Sequence, residues 1–286
     1  MGKSSRLKKE RRELKAVQAA EYDLFSKLVS IDGYNEPIYR FFPEQWQADA
    51  LCQGNVWIST LEACRAYEDP LQGDSEEATH TYKSGHIVGS SSDAAFVEMA
   101  ARSGIHIGEG CSNITISNAT NIQKLPDAFV LCTTKEFKPE KLSETFGNYC
   151  VKISNPVEFF KRTSIELNKH LEVREGGMGL VKYNDRIYTG LEKPPGPIGF
   201  VKPNDQYSPQ KEFRMLWLPK ENFVIKPFCL SALMWLIYVA KSTDKAFNRD
   251  SYRVAFLVCG EFCVERGLRK AWFMRYHPLA RRYMLL

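Results

Sequence analysis

Gln210 and Glu212, two positions apart, carry the sharpest chemical suggestion in this 286-residue chain. They stand where a loop becomes a strand. Pro203, Asn204, Asp205, Ser208 and Pro209 each break regular structure for their own backbone reasons. Phe213, Met215 and Trp217 then alternate with Arg214, Leu216 and Leu218, which predicts a strand that Pro219 ends. Residues two apart on a strand leave the same face, so a Gln-x-Glu pair at the strand's mouth is a candidate catalytic corner. The alternative is that Glu212 is a solvated edge residue paired with Lys211 or Arg214.

Arg40 is the second chemical signal. It lies in the short aromatic segment Pro37-Ile-Tyr-Arg-Phe-Phe-Pro43, between Tyr39 and Phe41. An arginine among apolar neighbours is costly unless it meets an anion, or buries its stem and leaves its head in water. A third signal is the acidic stretch from Glu68 to Glu77, with five carboxylates in ten residues. Hard cations favour such oxygen ligands, but the D-x-D-x-D-G spacing of a calcium loop is absent, and no metal site is expected. The eight cysteines (52, 64, 111, 132, 150, 229, 259 and 263) are scattered, with Cys259-x-x-x-Cys263 the one close pair. They read as buried reduced thiols rather than zinc ligands or a disulfide framework.

The elements that must position these residues follow from patterning. Ser4 to Ser30 reads as one helix with a loose apolar stripe. Strands are predicted at 37–43 and 55–60, with a helix from Glu44 to Gln53 between them and a helical stretch from Glu62 to Tyr67 after them. Residues 68–125, polar and rich in hydroxyls, read as an insertion containing a hairpin, with a short helix over 93–102. Ala128 to Thr134 is the strongest strand pattern, apolar until it ends in Thr133 and Thr134. A helix from Lys138 to Phe146 and a strand over 149–154 follow. Asn155-Pro156 supplies an N-cap and a first-turn proline for a helix running to about Leu171. Glu175 to Gly179 reads as a flexible turn, 180–183 and 223–226 as strands, and 193–197 as a rigid proline loop. Phe228 to Ala240 reads as a buried helix, 253–259 as a strand, and 266–282 as a basic helical tail.

Composition is that of a folded globular chain, with 44% hydrophobic and 26% charged residues. Charge is uneven. Residues 1–15 carry seven basic and two acidic side chains, and residues 249–286 carry eight against three, so the middle is acidic. Basic ends on an acidic body point to an anionic partner, or to a solvated helix and a solubilising tail. The first fifteen residues are too charged for a signal peptide, the thirteen-residue apolar run at 228–240 is too short to cross a bilayer, and the start lacks a myristoylation hydroxyl. A cytoplasmic protein without membrane contact is expected.

The order of these elements resembles the ADP-ribosyltransferase superfamily in its Arg–Ser–Glu branch. Arg40 on the first strand, Cys132-Thr133-Thr134 at a strand end, and Gln210-Lys211-Glu212 carry the resemblance. It extends to a group of uncharacterised bacterial proteins with a similar Gly-x-Val-x-x-(Ser/Thr)-Leu, acidic Gly-Asp-x-x-Glu and Glu-Phe-Arg pattern, spanning most of residues 37–226. Ile58-Ser59-Thr60 is a rival for the hydroxyl motif, and Tyr39 leaves the arginine position open by one residue. The resemblance implies an α+β fold, an ADP-ribosyltransferase-like split β-sandwich with flanking helices. A basic helical arm at 1–33 would precede the domain at 34–286.

It further implies NAD as co-substrate, with Arg40, and Tyr39 beside it, at the diphosphate and Thr133 and Thr134 around the ribose. Phe137, Phe146 or Tyr149 would stack on nicotinamide, and Glu212 and Gln210 would be catalytic. Glutamine at 210 favours an amide- or base-like acceptor. The implied role is a bacterial toxin or defence effector, of the toxin–antitoxin or phage-defence kind. It would transfer ADP-ribose to a protein or to a nucleic acid, RNA or DNA, and an antitoxin or other regulatory partner would fit such a role. Two alternatives stay open: a nucleic-acid-binding module without catalysis, and a metal-dependent nuclease using the turn at 68–77.

Overall fold

Five apolar or alternating segments become neighbouring strands. The structure is a computed structural model that describes residues 3–69, 73–137, 146–220, 224–231 and 239–242. In chain order it contains α1 (Lys3–Ser26), β1 (Leu28–Ser30), β2 (Ile38–Phe42), α2 (Gln45–Cys52), β3 (Asn55–Thr60) and α3 (Leu61–Ala66). The insertion supplies β4 (Thr79–Lys83), β5 (His86–Gly89), α4 (Ala94–Arg102), β6 (Ile114–Ser117) and β7 (Thr120–Lys124). Then come β8 (Phe129–Thr134), β9 (Tyr149–Ile153), α5 (Pro156–His170), β10 (Val173–Leu180), β11 (Lys182–Tyr183), β12 (Ile187–Thr189) and β13 (Val201–Lys202). The short α6 (Asn204–Tyr207), β14 (Glu212–Pro219), β15 (Phe228–Ser231) and β16 (Val239–Ser242) complete the described chain. The fold is therefore mixed α+β.

The main sheet runs β1-β10-β14-β8-β2-β9-β16, with β3 and β15 on a branch. The branch begins at β8. One edge of β8 pairs with β14 along its whole length, Glu212↔Thr134 to Trp217↔Phe129. The other edge divides, with Phe129 and Val130 pairing β3 and Thr134 pairing β2. The sheet thus forks between β2 and β3.

Strand β14 is buried on both faces, which explains its nearly continuous apolar reading. Phe213, Met215 and Trp217 enter the larger core with Phe129, Leu131 and the α5 residues Phe159, Phe160 and Leu167. Trp217 stacks on Phe160 at 5.2 Å and donates its Nε1 hydrogen to Ser164 Oγ at 2.7 Å. Leu216 and Leu218 join Val130, Leu61 and Phe200 in a second core on the opposite face. Helix α5 starts as its sequence suggests, with Asn155 Oδ1 accepting from the Glu158 amide at 3.0 Å.

Several expectations are corrected. The first helix ends at Ser26, and residues 28–30 instead add β1 parallel to β10. Glu175 to Gly179 is no turn but the middle of β10, paired residue by residue with β14. Its glycines serve close approach: a Cβ on Gly179 would stand 2.9 Å from Ile31 Cβ, and one on Gly176 2.8 Å from Leu28 Cδ2. The insertion holds more than a hairpin. Strand β4 pairs with both β7 and β12, β5 pairs with β6, and Phe96 and Ala100 of α4 pack on Ile116. Of the apolar run 228–240, the first four residues form β15 against β3 and the last two open β16 against β9. A short apolar run fits a buried helix or strand equally by periodicity. Residues 224–226 are not a strand. The cysteines are free thiols among the described residues, but Cys111, Cys132 and Cys229 are exposed. The helix expected at 138–146, apart from Phe146, and everything proposed for 249–286 lie outside the described residues.

Every residue of α1 from Arg6 to Ala20 is exposed, and among its described side chains only Leu24 is buried. Deleting residues 1–15 should therefore leave the thermal midpoint within about one or two degrees. A fall large enough to unfold the protein in a calorimeter would make the arm structural.

Candidate functional site

On the β14 face that carries Leu216 and Leu218, the residues nearest the strand's start are charged. Glu212 and Arg214 lie side by side, 3% and 1% exposed, with Arg214 Nε donating to Glu212 Oε1 at 2.7 Å. Glu212 Oε2 is 2.9 Å from Lys202 Nζ, an ion pair out of line for a hydrogen bond. The acidic turn after α3 arrives from the other side. Glu77 takes Arg214 in a two-oxygen grip at 2.7 and 3.2 Å, and Lys202 Nζ is 3.6 Å from its Oε2. Asp74 is gripped by both terminal nitrogens of Arg186, whose Nε also donates to the Val201 carbonyl at 3.2 Å.

Three carboxylates and three cations, all buried, thus form one balanced cluster. Burial alone would make each ion costly, and pairing with planar guanidinium forks offsets that cost. Burial would raise the Glu212 pKa, but Arg214 and Lys202 outweigh it and hold the carboxylate well below its usual range. Asp74 is likewise lowered against its burial by Arg186. Burial opposes the charge on Lys202, yet Glu212 and Glu77 raise its pKa above the usual lysine range. The Glu212 amide donates to the Tyr183 hydroxyl at 2.7 Å, and burial, with the Glu212 charge, pushes that phenol up to about 12.

The residues singled out in the sequence fall on two faces. Tyr39, Thr134 and Glu212 are lateral register partners across β2, β8 and β14, so they form one row on one face. Thr134 Oγ1 accepts from the Glu136 amide at 3.2 Å, and Tyr39 lies 5.4 Å from the Phe137 ring. Gln210 is half-buried in the turn before β14, and Lys211 adopts a left-handed φ of 46° that swings the chain into the strand. Thr133 points to the opposite face and donates to the Phe213 carbonyl at 2.9 Å. Alternation also puts Arg40 on that opposite face, with Ile38 and Phe42. Tyr149 is across from Phe42 and packs on the same core, with half-buried Phe146 shortly before it. Ser59 and Thr60 pair with β8 at its other end, where Thr60 caps α3.

Arg40 occupies the fork. Its Nη2 donates to the Trp57 carbonyl on β3 at 3.0 Å, and its guanidinium lies 5.2 Å from the Phe42 ring centre. Its Nη1 is buried and has no hydrogen-bond partner among the described residues. Burial lowers the Arg40 pKa to about 10, so the group stays charged at neutral pH, with no anion paired to it among the described residues.

Sequence reasoning missed Arg186 and Lys202, which no local spacing distinguishes, and it weighed Arg214 only as a salt-bridge partner. Among the described residues, no group of three or more His, Cys, Asp or Glu side chains could hold a metal ion. Nor is any described helix long and apolar enough to cross a membrane. An open cleft of about 390 Å³ lies over the Asp74–Arg186 end of the cluster, lined also by Arg65, Tyr67 and Tyr207; Glu212 does not line it. No family model, curated protein or solved structure matches this chain.

Proposed function

We propose that the chain is an NAD-dependent ADP-ribosyltransferase with a split β-sandwich of that superfamily's kind, acting on a macromolecular acceptor. The observation that supports this most is lateral. Three segments far apart in sequence, carrying Arg40, Thr133-Thr134 and Gln210-Lys211-Glu212, lie on the three adjacent strands β2, β8 and β14 or at their ends. The charged Nη1 of Arg40, without a hydrogen-bond partner among the described residues, suits one phosphate of the dinucleotide. The fit is less complete at the ribose: Glu212 lies on the sheet face opposite Arg40, is already ion-paired, and would have to exchange Lys202 for a sugar hydroxyl.

In the reaction, the bond from ribose C1′ to nicotinamide breaks and nicotinamide leaves with the electron pair. The ribose gains positive charge as in glycoside cleavage. A carboxylate held ionised nearby would stabilise that charge where it develops. The acceptor nucleophile then bonds to C1′ and gives up its proton to water. Gln210, at the strand's mouth, would orient the acceptor.

A second reading is favoured by one observation. Glu212 is only 3% exposed and both of its oxygens face cations, as in a structural ion cluster. The protein would then bind an anionic partner without catalysis. Labelled NAD incubated with cell lysate, followed by nuclease and protease digestion, separates the two. Label on a digestible macromolecule supports transfer, and intact NAD supports the binding module. A nuclease at the acidic turn finds Asp74 and Glu77 already engaged by Arg186 and Arg214.

Arg40→Ala should weaken NAD binding by about 2–3 kcal/mol, the scale of a charged hydrogen bond. Arg40→Lys should restore only part of it, since an ammonium lacks the planar fork. Equal affinities for wild type and Arg40→Ala by calorimetry would move the phosphates elsewhere.

A further inference from the structure

The exposed arm has an ordered charge pattern that the transfer reading does not use. In α1 the two acidic residues of the first half are each matched to a base one turn earlier. Arg6 Nε is 3.1 Å from Glu10, and Lys9 Nζ is 3.8 Å from Glu13. Four further cations, Lys8, Arg11, Arg12 and Lys15, have no ion-pair partner among the described residues. Their spacing is i, i+3, i+4, i+7, so they line one face of the helix over about 10 Å of its length. Tyr22, 78% exposed, continues that face at its anchored end. The opposite side carries Glu10 and Glu13 with their partners Arg6 and Lys9 beside Val17, and Leu7 and Leu14 lie on a flank.

Two features make this face incomplete by itself. Lys8, Arg11, Arg12 and Lys15 are like-charged neighbours one turn apart on this helix, so they repel one another along the face. They are also held far enough from the domain that every residue from 6 to 20 is exposed. An anionic partner laid along the face would relieve both.

We propose that this face of α1 grips the phosphate backbone of a nucleic acid. A row of four cations with exposed flanks matches the regular charge of such a chain, and a duplex major groove admits a helix. A membrane surface fits less well. Interfacial helices need a continuous apolar face opposite the basic one, and here Glu10 and Glu13 interrupt it. The inference stands apart from NAD chemistry, because binding is measured without NAD.

The test uses the full-length protein, a fluorescein-labelled random-sequence DNA duplex, a labelled single-stranded RNA, and phosphatidylserine–phosphatidylcholine vesicles, titrated between 50 and 200 mM salt, a span of about fourfold chosen to expose counterion release. The variant Lys8→Gln/Arg11→Gln/Arg12→Gln/Lys15→Gln keeps good helix formers, and circular dichroism checks that helicity is retained. It should reduce the slope of log affinity against log salt by about 3.6 on the duplex, or about 2.8 on the single strand, four phosphates' worth. These two values also tell which nucleic acid is held. Arg6→Gln/Lys9→Gln, which removes the paired cations, should change it by less than half as much. Equal effects of the two variants, no binding to either nucleic acid, or tighter binding to the vesicles would each overturn the proposal.

Discussion

Arg214→Met should cost about 3–5 kcal/mol of unfolding free energy, the usual result of taking one partner from a buried ion pair. Arg214 is 1% exposed and ties together Glu212, Glu77 and the Gly199 carbonyl. Without it the cluster keeps three carboxylates against two cations, one charge buried without compensation. Adding Glu212→Met removes that excess, so the double variant should recover part of the loss. Urea titration of the four proteins in the cycle measures it, and strictly additive losses would mean the cluster does not act as a unit.

The same cluster sets a pH window. Glu212 and Asp74 are lowered in the folded state, so their contribution is present above their ordinary values of 4.5 and 3.8 and is lost as pH falls toward the folded ones. Lys202 is raised, so its contribution is present below 10.5 and is lost as pH rises through its folded value. Read as the difference in midpoint between wild type and Arg214→Met, the cluster's own contribution should stay flat between these limits, and Arg214→Met should lose stability at a higher pH on the acid side.

Glu212→Gln should lower ADP-ribose transfer by about a hundred- to a thousandfold, the scale for removing one preorganised electrostatic group. The structure adds a complication that the sequence hid. This substitution also unbalances the buried cluster, so part of any loss will be loss of fold. Gln210→Ala is the cleaner probe, because Gln210 is half-buried in the turn outside the cluster. It should leave NAD hydrolysis to free ADP-ribose and nicotinamide intact while transfer to the acceptor falls. If wild type never consumes NAD with acceptor present, or if Gln210→Ala transfers normally, the transferase reading goes.

What the sequence made legible was local. Strands β2, β3, β8, β9 and β14 declared themselves because their apolar or alternating residues lie between prolines, glycines and caps. Helix α5 did so through Asn155 and Pro156. Strand β10 did not, because Gly176, Gly177 and Gly179 look like a turn until Leu28 and Ile31 are seen lying against them. Strand β15 was hidden for a similar reason, since only its pairing with β3 tells strand from helix in that apolar run. For the site, the Gln-x-Glu corner and the odd arginine at 40 were visible as residue types. Their surroundings were not. Glu212 read either as a catalytic corner or as a solvated edge residue paired with Lys211 or Arg214; the Arg214 pair is there but buried, and its backing by Lys202 and Glu77 depends on which loops fold over β14.

The links of that cluster are also long in sequence. Arg214 to Glu77 spans 137 positions and Arg186 to Asp74 spans 112. Such contacts cannot close until the insertion and the C-terminal strands have both arrived, since chain entropy must first be given up. The six charges would stay hydrated through most of folding and be sealed in at its end. The cluster therefore acts as a late latch, governing how long the native state survives rather than how quickly it is reached. In Arg214→Met the lost free energy should appear mainly as faster unfolding, with the refolding arm of the chevron little changed.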